Sequence, residues 1–273
     1  IEGGAGIDNL DGGSGDDVFY VGTANHFTGL TSAEVVAGGA GNDTLKINAN
    51  ATVNNTDLLG LSSVETISFA ATGASSIVLA DNVYTANGLS SITIADTSAT
   101  DVTTISAGTL STGNSVVVTL SEKVSKDQSI VLGGGNDSVT VTVDGSDYLA
   151  STDVYSGGSG TDTLTFSAAA DTGAMDLTGV SGFESIKSSG TTKTYNINIA
   201  TITNDLIATG SSATFDFSDR TTGTVSLEGG AENDIMTILS GSGNDTLKSG
   251  SGADVISAGA GDDVERARPD ALS

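Results

Sequence analysis

One nine-residue pattern limits this chain more than anything else in it. Gly12-Gly13-Ser14-Gly15-Asp16-Asp17-Val18-Phe19-Tyr20 reads G-G-x-G-x-D-x-U-x, with U a large apolar residue. Gly3 to Asp11 matches with Asp8 and Leu10, Gly38 to Lys46 with Asp43 and Leu45, and Gly157 to Thr165 with Asp162 and Leu164. Toward the C-terminus, Ser240 to Lys248 and Ser249 to Ser257 carry Asp245 and Asp254, with Ser for the first Gly. Ala258 to Arg266 carries Asp263 but has Glu265 at the apolar position. Two copies are degenerate: Leu132 to Thr140 keeps Asp137, and Gly229 to Thr237 keeps Asp234. Val21 to Gly29 reads as a decayed copy with His26 where the Asp belongs. A short fixed period marks a repeat architecture, in which each unit buries its apolar residue only by stacking on its neighbours.

The spacing has a chemical reading. G-G-x-G-x-D makes a tight turn whose glycines accept positive φ. Its backbone carbonyls then point at a common centre beside the Asp carboxylate, and x-U-x forms a short strand with U inward. Two units make one coil, so turns 18 residues apart stack on one side, and a cation between them takes oxygens from both. Carbonyls and carboxylates in a chain with no Cys form a hard-oxygen set, which suits several Ca²⁺ ions rather than zinc or copper. The candidate ligands are Asp8, Asp17, Asp43, Asp137, Asp162, Asp234, Asp245, Asp254 and Asp263. Turn carbonyls join them near Gly13, Gly15, Gly39, Gly41, Gly158, Gly160, Gly243, Gly252 and Gly261. Asp245 and Asp263 have the 18-residue spacing. Asp234 and Asp254 are 20 apart, read as 18 plus two extra residues around Ile238-Leu239, which predicts two neighbouring sites on opposite edges of the C-terminal coil. Asp17 and Asp43 are 26 apart and Asp137 and Asp162 are 25 apart; a coil lengthened by a bulge stacks each pair.

Composition narrows the partners. There are 34 acidic against 9 basic residues, a net charge of −25. Nucleic acid is excluded, because phosphate binding needs clustered Lys and Arg. Such charge would suggest disorder, but β-branched runs and a mean hydropathy of +0.08 argue for a folded chain whose acids have a counter-ion. Tryptophan is absent and aromatics are 4%, which fits thin repetitive packing better than one deep core. The sequence shows no signal peptide, membrane span or lipidation motif. It opens inside a repeat, as a fragment of a longer protein would.

A second, longer period is present. Residues 38–67 align without gaps to 157–186, with 14 of 30 positions identical. Each copy opens with a Gly-Asp turn, continues D-L-x-G-[LV]-S-x-[VF]-E-[TS]-I, and closes with another turn, at Asp137 or Asp234. The second copy is 22 residues shorter. Between the turns of the first copy lie short runs at Ile67-Ser68-Phe69, Ile77-Val78-Leu79, Ile92-Thr93-Ile94, Val102 to Ile105, Val116 to Leu120, Ile130 to Leu132 and Val139 to Val143. Short strands at regular spacing suggest a sandwich, barrel or solenoid. The expectation is an all-β parallel β-helix continuous with the repeats, with a β-sandwich insertion as the alternative and one short helical stretch at Ala80 to Asn87. The implied organisation is N-terminal turns at 1–37, β modules at 38–156 and 157–239, a C-terminal roll at 240–266 and a tail at 267–273.

The nonapeptides resemble those of the RTX, or haemolysin-type calcium-binding, family. The resemblance implies a right-handed parallel β-roll, calcium-triggered folding and type I secretion to the cell exterior. Interleaving with long Thr/Ser/Val/Ala-rich segments resembles surface-layer proteins of the Caulobacter type and large RTX adhesins. The expected function is therefore a calcium-dependent surface layer or filament formed by self-association. The alternatives are an adhesin region that binds a cell-surface glycan or lipopolysaccharide, and an accessory domain of a secreted enzyme. Catalysis is not expected: His26 is the sole histidine, and no nucleophile, zinc-protease or phosphate-loop motif occurs. Asp16-Asp17 and Asp262-Asp263 each read as a ligand beside a solvated acid. Tyr84, Tyr148, Tyr155 and Tyr195 read as packing residues before a sugar-binding surface. Arg266, Arg268 and Pro269 break the acidic pattern without explanation.

Overall fold

The computed structural model describes residues 1–4, 7–21, 35–70, 73–96, 103–121, 127–143, 152–168, 179–183, 185–188, 195–198, 212–218, 225–228, 235–249 and 253–266. They form short parallel strands with one α-helix among the described residues, Asp81–Asn87. None of their helices is long and apolar enough to cross a membrane. The chain divides into two units, residues 1–121 with 128–137 and 158–160, and residues 122–127 with 138–157 and 161–273.

In the first unit, strands Val18–Val21, Thr44–Ile47, Thr66–Phe69, Ser91–Asp96 and Ser115–Ser121 lie side by side, all parallel. Between them in the chain come the strands of two further parallel sheets. One joins Asn9–Asp11, Val35–Ala37 and Leu61–Ser62. The other joins Thr52–Val53, Ser75–Val78, Thr103–Ser106 and Ser129–Val131. From Thr66 onward the predicted apolar runs alternate between two sheets, so each pair of strands with its turns is one coil of a parallel β-solenoid. A sandwich insertion is excluded in this unit.

The U residues explain the stacking. Side chains alternate sides along a strand, and register places Phe19, Leu45, Ile67, Ile94 and Val118 in one inward row. All five are buried. A second row, Val21, Ile47 and Phe69, ends at the buried Asp96. Truncating any one apolar rung to Ala removes contacts to the coils on both sides and costs roughly 2–5 kcal/mol.

The helix fills one coil. Its end is closed by Gly88 at φ 75°, whose N–H donates to Tyr84 O. Val83 and Tyr84 are buried, and the Tyr84 hydroxyl donates to Ser115 O at 2.9 Å.

The second unit repeats the plan. Strands Ser138–Val143, Thr163–Ala168, Ser185–Ser188, Ser212–Asp216, Ile235–Leu239 and Val255–Ser257 are parallel neighbours. They carry the buried row Val139, Leu164, Ile186, Phe215 and Ile238. Tyr195–Asn198, Val225–Glu228, Thr246–Lys248 and Val264–Arg266 form a second parallel sheet. At the C-terminal end Thr237 pairs with Val255 and Thr246 with Val264, the 18-residue coil. That register holds through Leu239, opposite Ser257, so no residues are inserted around Ile238-Leu239. The two extra residues are Ile235 and Met236. They lengthen the strand at its start, where they pair with Ser212 and Ala213, and Ile238 rather than Met236 stands opposite Ile256.

The 119-residue duplication is also structural. Thr44 pairs with Thr66 and Val36 with Leu61; Thr163 pairs with Ser185 and Tyr155 with Val180. Ser63 and Gly182 occupy equivalent turn positions, and both have positive φ, 52° and 66°.

Candidate metal centre

Where one turn stacks on another, the glycines at its second and fourth positions lie against the backbone of the preceding coil. Gly39 and Gly41 have φ of 101° and 148°, and a side chain on either would strike Gly13 O or Gly15 O. Gly158 and Gly160 sit in the same way on Gly133 O and Gly135 O, and Gly261 on Gly243 O. Bridges Ser14 to Ala40, Gly134 to Ser159 and Ser242 to Ala260 lock the stacked turns together. The first glycine has a different task. A Cβ on Gly12 would lie 2.6 Å from both Asp17 Oδ2 and Gly38 O. Glycine there lets the carboxylate fold back against its own turn while the next carbonyl closes over it.

The carboxylates form a ladder. Asp17 N donates to Asp43 Oδ1 at 2.8 Å, 26 residues on, and Asp245 N donates to Asp263 Oδ1 at 2.9 Å, 18 residues on. Val116 N donates to Asp137 Oδ1 at 2.7 Å, and Val225 N to Asp245 Oδ1 at 2.7 Å. One oxygen of each acceptor thus ties its coil to the coil before it. Strand Ser138–Val143 follows Asp137, strand Thr163–Ala168 follows Asp162, and Ser138 pairs with Thr163. Asp254 is half-buried before Val255. Asp234 and Gly252, with His26, Tyr148, Arg268 and Pro269, lie outside the described residues.

The other oxygen is the one open to a metal. Oδ2 of Asp8, Asp17 and Asp43 is buried with no hydrogen-bond partner, and Asp43 is 0% exposed. An ionised oxygen taken from water without a partner is strongly unfavourable. Asp137 shows the strain: burial pushes its carboxyl up, and the N–H groups of Val116 and Gly133 offset this only in part. Asp245 differs. Its turn begins with Ser240, whose hydroxyl donates to Asp245 Oδ2. The serine supplies a donor where a glycine-first turn has none.

Among the described residues no three acidic or histidine side chains converge on one point. A cation here takes much of its shell from backbone carbonyls, as the turn geometry provides, and the donor set fits Ca²⁺. The family model of the RTX calcium-binding nonapeptide repeat matches residues 1–25, 28–46 and 239–264, as four copies. The matched turns are RTX repeats, and RTX nonapeptide repeats bind calcium. The matched segments hold Asp8, Asp17, Asp43, Asp245, Asp254 and Asp263. The turns at Asp137 and Asp162 lie outside them. No match was found among curated proteins or solved structures.

Two of the tyrosines and the acids beside the RTX aspartates also find places. Asp16 is exposed but not merely solvated, since its Oδ1 accepts Asn42 N at 2.8 Å; Asn244 Oδ1 accepts Asp262 N at 3.0 Å. These neighbours of the RTX aspartates cross-link coils at the surface. Tyr84 and Tyr155 are buried, so they pack and offer no sugar-binding face. The Tyr84 hydroxyl is pushed up by burial and by the nearby Asp137 and Asp81 charges. Sequence reasoning passed over Glu65, whose Oε2 accepts Asp43 N at 2.8 Å, although its recurrence in the duplicated motif was a signal.

Proposed function

We propose that the chain is a calcium-dependent extracellular structural protein that self-assembles into a surface layer or filament. The observation that carries the calcium dependence is the buried, partnerless Oδ2 of Asp8, Asp17 and Asp43. Calcium bound between stacked turns neutralises these oxygens and joins the coils. The unfolded chain has no preformed site, so binding free energy becomes folding free energy. Extracellular calcium modules bind at about 10⁻⁴–10⁻³ M. A chain with such sites stays unfolded inside the cell, passes a type I export channel and folds outside. On this reading it is not itself an enzyme.

Self-assembly is supported by the charge: a net charge of −25 keeps subunits apart until divalent ions bridge them. Electron microscopy of the purified protein tests the reading. Ordered sheets or filaments in calcium that vanish in chelator support it. A calcium-folded monomer that binds a glycan array or lipopolysaccharide would replace it with the adhesin reading.

A further inference from the structure

The duplicated motif D-L-x-G-[LV]-S-x-[VF]-E-[TS]-I follows an RTX turn twice, yet the nonapeptide gives it no task. In the first module it stacks directly on the Asp43 turn. Thr44 pairs with Thr66, so Glu65 stands opposite Asp43 as Asp43 stands opposite Asp17. Its carboxylate makes the ladder bond of an RTX aspartate: Asp43 N donates to Glu65 Oε2 at 2.8 Å, as Asp17 N donates to Asp43 Oδ1 at 2.8 Å. The backbone copies the turn as well. Gly38 N donates to Ser62 O at 2.9 Å, as Gly12 N donates to Ala37 O at 2.9 Å. A side chain on Gly38 would meet Ser63 O and Asp43 Oδ2, just as one on Gly12 would meet Gly38 O and Asp17 Oδ2. Ser63 therefore presents its carbonyl where the next turn's first glycine would, and it does so with a positive φ of 52° that Gly38 does not share. That strained turn is held from the far side. The Asn87 side chain accepts Val64 N at 3.0 Å and donates to Val64 O at 2.8 Å, while Ser63 N donates to Asn87 O at 3.0 Å.

Between these two turns lies the Oδ2 of Asp43, on a side chain that is 0% exposed, with no hydrogen-bond partner. We propose that Ser63 and Glu65 form the second half of a calcium site that the nonapeptide does not describe, with Asp43 and its turn as the first half. The inference rests on the calcium reading above. The motif is then an adaptor: it ends a run of RTX turns by offering a carboxylate and a carbonyl without a Gly-Asp turn of its own. In the second module Gly182, at φ 66°, presents its carbonyl to Gly157 in the same way.

The test is ion counting by native mass spectrometry on the full chain, with the calcium midpoint of folding measured in parallel by circular dichroism. Glu65→Gln keeps an acceptor for Asp43 N but removes the charge. It should bind one calcium fewer than wild type and raise the midpoint about tenfold or more. Glu65→Asp keeps the charge on a shorter arm and should fall between the two. Asp263→Asn, at the far end of the chain, gives the size of a one-ion loss within an RTX pair. If Glu65→Gln matches wild type in both ion count and midpoint, the adaptor site is overturned while the calcium reading stands. If wild type itself binds no calcium, both are overturned. If Glu65→Gln folds at no calcium concentration, Glu65→Asp decides: a wild-type midpoint and ion count overturn the site, and a raised midpoint supports it.

Discussion

At one register position of the first unit, two kinds of coil can be compared directly. Asp17, Asp43 and Glu65 follow one another there, then Ile92 and Val116, and Asp137 comes next through its bond from Val116 N. The backbone is a parallel coil throughout. Ile92 and Val116 are 0% exposed and need nothing from solvent. Asp43 is equally buried but has a carboxylate oxygen without a hydrogen-bond partner. The aliphatic coils bury apolar side chains at this position, whereas the Asp43 coil buries a carboxylate oxygen that, on the proposed reading, a cation completes. The proposed calcium control is thus written into particular coils of one repeated fold.

Removing calcium should separate the two kinds of coil most strongly. Hydrogen exchange in chelator should show the amides of Tyr20 and Lys46 unprotected, with any residual protection confined to Ile94 and Val118. Uniform protection would remove the distinction. Next in size is Ile92→Ala, which should destabilise the calcium-loaded chain by roughly 2–5 kcal/mol in thermal or urea unfolding and leave the number of bound ions unchanged. Asp43→Asn acts in opposite directions. In calcium it should lose an ion and unfold more easily. In chelator it should be more stable than wild type, by roughly 1–3 kcal/mol, because an amide is far less costly to bury than a bare carboxylate. The smallest effect belongs to Ser240→Ala. Removing the donor to Asp245 Oδ2 should lower stability in low calcium by roughly 1 kcal/mol, and by less once calcium saturates the turn.

The solenoid was legible because its period is carried by single residues. Phe19, Leu45 and Leu164 mark the inward row, and the alternating β-branched runs from Ile67 to Val143 mark the coils between the RTX turns. The 26-residue stack of Asp17 on Asp43 could be read from spacing alone. Other features were not legible, for physical reasons. The register near Ile238 depends on which strand residues find partners, and both Met236 and Ile238 suit an apolar position. Ser63 holds a conformation usual for glycine, and only its contact with Asn87 explains why. Asp16 looks solvated beside Asp17 until the coil above places Asn42 N against it. Glu65 is invisible to the nonapeptide because it does a turn's chemistry without the turn's sequence.

On the proposed reading, buried carboxylates make folding conditional on calcium. Far-UV circular dichroism of the full chain across a calcium titration tests it most directly. A disordered spectrum in chelator that converts cooperatively to β structure, with a midpoint of about 10⁻⁴–10⁻³ M, is the predicted result. A β spectrum that persists unchanged in excess chelator would contradict it.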